Sequence, residues 1–120
     1  MKKKILVADD DAITRLFAEK ILKEADYEVT LTKDGAEAFD AISSNDFVAA
    51  LIDIKMPTVS GEDLVTLIRD KTKNKTPLIY ITVIPKDEVD ISIVDGFIQK
   101  PFTRTTLIEG IEETIKNFKR

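Results

Sequence analysis

The chain contains no cysteine, histidine or tryptophan, and only four prolines and four glycines in 120 residues. Without cysteine there is neither a disulfide nor a thiolate metal site, and a reducing cytoplasm is the expected compartment. Without histidine there is no Ser-His-Asp triad, no His-ligated zinc and no phosphohistidine of the chain's own. No apolar run approaches membrane-spanning length, so no membrane partner is expected. Lys2-Lys3-Lys4 before Ile5-Leu6-Val7-Ala8 looks superficially like a signal peptide. The apolar part is too short for one, and three aspartates follow it at once. A net charge of −4 provides no basic footprint for direct nucleic-acid contact. Repeats, low-complexity tracts and linkers are missing too. With 43% hydrophobic and 33% charged residues, positions 1–120 are expected to fold as one globular domain.

What is present alternates regularly. Ile5 to Ala8 is a short apolar run ending in Asp9-Asp10-Asp11, which reads as a buried strand. Ile13, Leu16, Phe17, Ile21 and Leu22 then recur at helical spacing, with Asp11 as a candidate cap. Glu28 to Thr32 alternates apolar and polar, as suits an edge strand. Asp34 caps a second helix that turns Phe39 and Ile42 inward. Phe47 to Ile52 is an unbroken apolar run ending in Asp53, and Pro57 and Gly61 mark the loop after it. A third helix from about Gly61 carries Leu64, Leu67 and Ile68. Pro77 to Thr82 is another buried-type strand, and Phe97-Ile98-Gln99 a short one ending at Lys100-Pro101. Thr103 opens the last helix, whose inward stripe is Leu107, Ile111, Ile115 and Phe118. Lys116, Lys119 and Arg120 complement that helix's C-terminal dipole.

Strand and helix alternating five times predicts an α/β fold, a doubly wound five-stranded parallel sheet with helices on both faces. The two least apolar strands, the second and fifth, belong at the edges, which gives the order 2-1-3-4-5. Its switch point lies between the first and third strands, and Asp9, Asp10 and Asp53 all fall there. Three clustered carboxylates raise one another's pKa unless a positive charge joins them. A hard divalent cation such as Mg²⁺ would resolve the conflict, with carboxylates, waters and a phosphoryl oxygen as ligands. Lys100 adds a mobile ammonium and Thr82 a short hydroxyl. This set suits phosphoryl transfer to Asp53.

Asp9-Asp10, Asp53 with Met56-Pro57 and Gly61, Thr82, and Lys100-Pro101-Phe102 together resemble the receiver domain of bacterial two-component response regulators. The resemblance covers essentially the whole chain. It implies phosphorylation of Asp53 by a histidine kinase or a histidine phosphotransfer protein. It also implies Mg²⁺ bound by Asp9, Asp10, Asp53 and the backbone carbonyl of Lys55, with Thr82 and Lys100 on the phosphoryl group. Thr82 and Phe97 would form the switch pair. Output would pass through the surface of the fourth helix, fifth strand and fifth helix. The domain would act through protein contacts, either alone or as part of a longer regulator.

Three departures from the family pattern stand out. Val83 occupies a position where the family has a smaller residue, and it is expected to restrict access to Asp53. Lys55 could reach the phosphoryl group or point to solvent. The stretch between Thr82 and Lys100 is short, and Val89-Asp90-Ile91-Ser92-Ile93 is rich in β-branched residues. The fourth helix is therefore predicted to be short, distorted or missing. Competing readings are a phosphorylation-independent interaction module and a phosphatase of the haloacid-dehalogenase type, with Asp9 as nucleophile and Asp11 as acid. A flavin-binding protein of the same fold class would require a less acidic first loop.

Overall fold

Each apolar run that the sequence ends in a polar residue becomes a parallel strand. The structure, a computed structural model, describes residues 2–118. The strands are β1 (Lys4–Ala8), β2 (Glu28–Thr32), β3 (Ala49–Ile52), β4 (Leu78–Thr82) and β5 (Gly96–Gln99). The helices are α1 (Ala12–Glu24), α2 (Gly35–Ser44), α3 (Gly61–Thr72) and α4 (Arg104–Asn117). All strand pairs are parallel, in the order β2-β1-β3-β4-β5. The edges are thus the two strands whose sequences are least apolar.

Because side chains alternate along a strand, the sheet feeds two separate cores. Ile5, Val7, Leu51, Ile79 and Ile81 face α1 and α4, meeting Ile21, Leu22, Leu107 and Ile111. Leu6, Ala50, Ile52, Leu78 and Tyr80 face α2 and α3, meeting Ala38, Ile42, Leu64 and Ile68. Short polar side chains set the helix starts. Asp11 accepts from Thr14 N–H, Asp34 from Glu37 N–H and Ser60 from Asp63 N–H. Thr103 and Thr106 form a reciprocal capping box at the start of α4.

Two expected inward faces are corrected. Ile13, Leu16 and Phe17 of α1 are exposed, Ile13 by 77%, and the buried positions are Ala18, Ile21 and Leu22. Ala18, Ile21 and Leu22 follow the i, i+3, i+4 rule, but Ala18 is small and easily overlooked beside Phe17. Leu67 of α3 is exposed as well, with Val65 taking its place in the core. On α4 the stripe is Leu107, Ile111 and Thr114, Ile115 is partly buried, and Phe118 caps the helix. Of the basic residues expected near that end, Lys116 lies in the last turn, and Lys119 and Arg120 lie outside the described residues.

Between β4 and β5 there is no α-helix. Two isolated 3₁₀ turns, Lys86–Glu88 and Ile91–Ile93, take its place, and neither contains a fully buried residue. Pro85 precedes the first turn and provides no side-chain cap. The β-branched run after Glu88 then has neither a helical start to extend nor a partner strand to join.

Arg69 fastens the far end of this segment. Its guanidinium donates to Ile93 O at 3.2 Å, Thr76 O at 3.3 Å and Asp95 Oδ2 at 2.8 Å. Asp95 Oδ2 also accepts from Leu78 N–H at 2.8 Å. One half-buried ion pair thus joins α3, the start of β4 and the entry to β5. Arg69→Ala is expected to cost about 2 kcal/mol in urea unfolding, as charged hydrogen bonds are lost from a partly desolvated place. It should also speed amide exchange at Ile93–Gly96 more than elsewhere.

Candidate functional site

The site forms where β1 and β3 end side by side. Ala8 and Ile52 are register partners, and Asp53 N–H donates to Ala8 O at 2.9 Å. This pairing sets Asp9 and Asp53 next to each other. The loop after Asp53 closes tightly, with Gly61 N–H bonded to Ile54 O at 2.8 Å. A Cβ at position 61 would collide with Asp53 O and stand 2.6 Å from Ile54 Cα, so only glycine fits there.

Carboxylate oxygens of Asp9, Asp10 and Asp53 all lie within 4.8 Å of one another. Asp9 is fully buried, Asp53 nearly so, and Asp10 exposed. Lys100, just past β5, reaches across to both buried acids. Its Nζ lies 2.6 Å from Asp9 Oδ2 and 3.0 Å from Asp53 Oδ2. The contact with Asp53 is a well-formed hydrogen bond. The contact with Asp9 is the shorter of the two, a buried ion pair. Asp9 Oδ1 accepts from Asp11 N–H at 2.9 Å, and Arg15 Nη1 donates to Asp9 O at 2.8 Å. Arg15 was not legible as a site residue, because arginine on a helix surface carries no signal of its own.

Burial pushes the Asp9 carboxyl above its ordinary range, and the charge of Asp53 adds to this. Lys100 and Asp11 N–H offset only part of the effect. Burial also works against the Lys100 ammonium, but bonds and charges from Asp9 and Asp53 outweigh it and hold its pKa above the ordinary value. Three carboxylates gathered in one place, with a single ammonium shared between the two buried ones, form an all-oxygen donor set that fits a hard cation such as Mg²⁺.

The other expected residues are placed as follows. Val83 is 64% exposed and lines an open cleft of about 470 Å³ together with Asp53, Asp10, Ile13, Phe17, Lys100 and Phe102. Phe17 stacks on Phe102 with centroids 5.6 Å apart. Thr82 is buried, and its Oγ1 accepts from Ile84 N–H at 3.2 Å. Phe97 is partly buried against the α2/α3 core. Lys55 N–H stands 3.4 Å from Asp53 Oδ1, while the exposed residue lines a separate hollow beside Met56, Glu62 and Glu88. The Lys55 backbone therefore borders the acids, and its side chain is not part of the Asp53 cleft. Asp11 is occupied as a cap, bonded to Thr14 N–H at 3.2 Å and Thr14 Oγ1 at 2.6 Å.

The parallel sheet of order β2-β1-β3-β4-β5, with the acids and Lys100 at its switch point, has the flavodoxin-like fold of CheY-like domains. Residues 5–112 match the family described as response regulator receiver domain. The chain is 31% identical over 116 residues to the regulatory protein VanRB of Enterococcus faecalis, covering 93% of this chain and 51% of that protein. It is 33% identical over 116 residues to the chemotaxis protein CheY-3 of Vibrio cholerae, covering 92% and 89%. The crystal structure of response regulator TrrA from Thermotoga maritima, in complex with Mg²⁺-BeF, superposes with a TM-score of 0.85. That pair shares 28% identity, covering 93% of this chain and 98% of TrrA. The chain belongs to the response regulator receiver domain family, the phosphoryl-accepting signalling modules of two-component systems, which interact with histidine kinases and phosphotransfer proteins. It spans about half the length of VanRB. No helix of the described residues is long and apolar enough to cross a membrane.

Asp9→Asn is expected to raise stability towards urea at neutral pH. Because the folded protein holds the Asp9 pKa above 3.8, ionised Asp9 disfavours folding, and a neutral isostere removes that cost. As pH falls through the raised pKa, wild-type Asp9 gains its proton and the advantage of the variant shrinks.

Proposed function

We propose that residues 1–120 form a cytoplasmic receiver whose phosphoacceptor is Asp53, acting as a signalling module and not as an enzyme. The donor is a phosphohistidine on a kinase or phosphotransfer protein. A carboxylate oxygen of Asp53 attacks phosphorus, and the P–N bond breaks. The imidazole leaves with the electron pair and takes up a proton from solvent. Asp9, Asp10, Asp53 and the backbone carbonyl of Lys55 would hold Mg²⁺, which when bound neutralises charge on the phosphoryl oxygens.

The observation that carries this reading is one lysine ammonium shared between Asp9 Oδ2 and Asp53 Oδ2, at 2.6 and 3.0 Å. Lys100 follows the negative charge from the free carboxylates to the phosphoryl oxygens, giving the product the counter-charge that the resting acids had. Thr82 turns its hydroxyl from Ile84 N–H to a phosphoryl oxygen, and Phe97 moves into the space that Thr82 leaves. The change reaches the surface made by residues 83–95, β5 and α4. Exposed Ile13, Phe17 and Val83 give the partner an apolar rim to dock on. The phosphatase reading finds no support. Asp9 is fully buried, and the Asp11 carboxylate is occupied in capping α1.

Acetyl phosphate with Mg²⁺ is expected to add one phosphoryl group to the wild type, read by intact-protein mass, and none to Asp53→Asn. An adduct that survives in Asp53→Asn would move the site elsewhere. No adduct in either protein would favour a phosphorylation-independent interaction module. Val83→Ala should shorten the lifetime of phospho-Asp53 several-fold by opening the path of attacking water. An unchanged decay rate would remove Val83 from any gating role.

A further inference from the structure

Tyr80 lies in the middle of β4, fully buried on the sheet face that looks towards α2 and α3. Its hydroxyl has no hydrogen-bond partner among the described residues. A buried hydroxyl left in that condition raises the energy of the state that contains it. Burial pushes the Tyr80 pKa up to about 12, and the carboxylates of Glu62 and Asp90 add to the effect. The orphan group is therefore a neutral phenol in the core that α2 and α3 share with Ile84, Val89, Ile93 and Val94.

Its neighbours are the two proposed switch residues. Phe97 is the register partner of Tyr80 on β5, and Thr82 lies two positions along the same strand, on the same face. Ile84, Val89, Ile93 and Val94 pack on the same core from above without being fully buried. This cover is held at one end by Arg69, through Ile93 O and Asp95. Near the other end, Ile84 N–H is bonded to Thr82 Oγ1. Turning the Thr82 hydroxyl towards a phosphoryl group leaves Ile84 N–H without its acceptor. A freed main-chain donor and an unpartnered hydroxyl then exist under one loosely packed segment.

We propose that Tyr80 is a positioning residue that takes a hydrogen-bond partner from the main chain of residues 84–94 when Thr82 releases it, drawing that segment onto β4 and β5. This inference rests on the phosphoacceptor reading of Asp53. In a receiver without a helix between β4 and β5, it gives the segment a second resting place and makes Tyr80 the group that selects it. The unpartnered hydroxyl destabilises the resting arrangement only, so it biases the equilibrium towards the activated one.

The chain has two tyrosines and no tryptophan, so Tyr27→Phe leaves Tyr80 as the sole phenol. Tyr27 packs on the opposite core, against α1 and α4. In that background, Mg²⁺ with beryllofluoride is titrated while fluorine NMR follows the Asp53 adduct and difference absorbance follows the phenol. The expected result is a shift of the phenol band that tracks adduct formation. Tyr80→Phe should raise the Tm of the resting protein by about 3–6 °C, since it removes an unpartnered polar group. It should also weaken apparent beryllofluoride affinity about tenfold, the worth of one neutral hydrogen bond.

An unchanged or lower Tm would mean that the hydroxyl is already satisfied at rest, and would overturn the proposal. An adduct seen by NMR without a phenol shift, or with unchanged affinity in Tyr80→Phe, would overturn it while leaving Asp53 as phosphoacceptor. Absence of any adduct would overturn both.

Discussion

One ammonium group stands between two buried carboxylates, and the architecture around it follows from that arrangement. Parallel strands that end together place their terminal side chains together, so β1 and β3 deliver Asp9 and Asp53 to one point. Like charges at that separation disfavour each other, most of all where burial removes water. Lys100 meets both from the end of β5, at the cost of its own desolvation. The compensation is incomplete, because Asp9 keeps a raised pKa even with Lys100 and Asp11 N–H beside it. The negative charge left uncompensated in this way is what a divalent cation would relieve.

The two faces of the sheet differ in how firmly they are covered. Towards α1 and α4 the core is closed by regular helices. Towards α2 and α3 it is closed by helices only as far as β3, and beyond β4 by two short turns. Thr82, Tyr80 and Phe97 all lie under or beside that thin cover. With no buried residue in either turn, this region stands near the bottom of the local stability range. The Arg69–Asp95 pair holds one end of that segment to α3 and β4.

Most of the site was legible in the sequence because strand ends are. Asp9 and Asp10, Asp53, and Lys100 stand at the ends of β1, β3 and β5, and these the structure brings together, whereas the Thr82 hydroxyl at the end of β4 is bonded to Ile84 N–H. The missing helix was legible as well, from the short stretch between Thr82 and Lys100 and the β-branched run of Val89, Ile91 and Ile93, although Pro85 and the acids after it read as a possible helix start. The orientation of α1 was not. Ile13 and Phe17 have the right spacing for a core face, and only packing reveals that the smaller Ala18 occupies it. The Arg69–Asp95 link joins residues far apart in the chain, and no local pattern announces it. The state of the Tyr80 hydroxyl depends on every atom around it, so a strand pattern reveals that the ring is buried and nothing about its partner.

The central claim is that Lys100 is a counter-charge transferred from the free acids to a group on Asp53. A crystal structure of the protein with Mg²⁺ and beryllofluoride tests it most directly. The account predicts beryllium on an Asp53 oxygen, the metal among Asp9, Asp10 and Asp53, and Lys100 Nζ moved from Asp9 Oδ2 to a fluorine. Beryllofluoride on Asp53 with Lys100 still held by Asp9, or the adduct on another carboxylate, would contradict it.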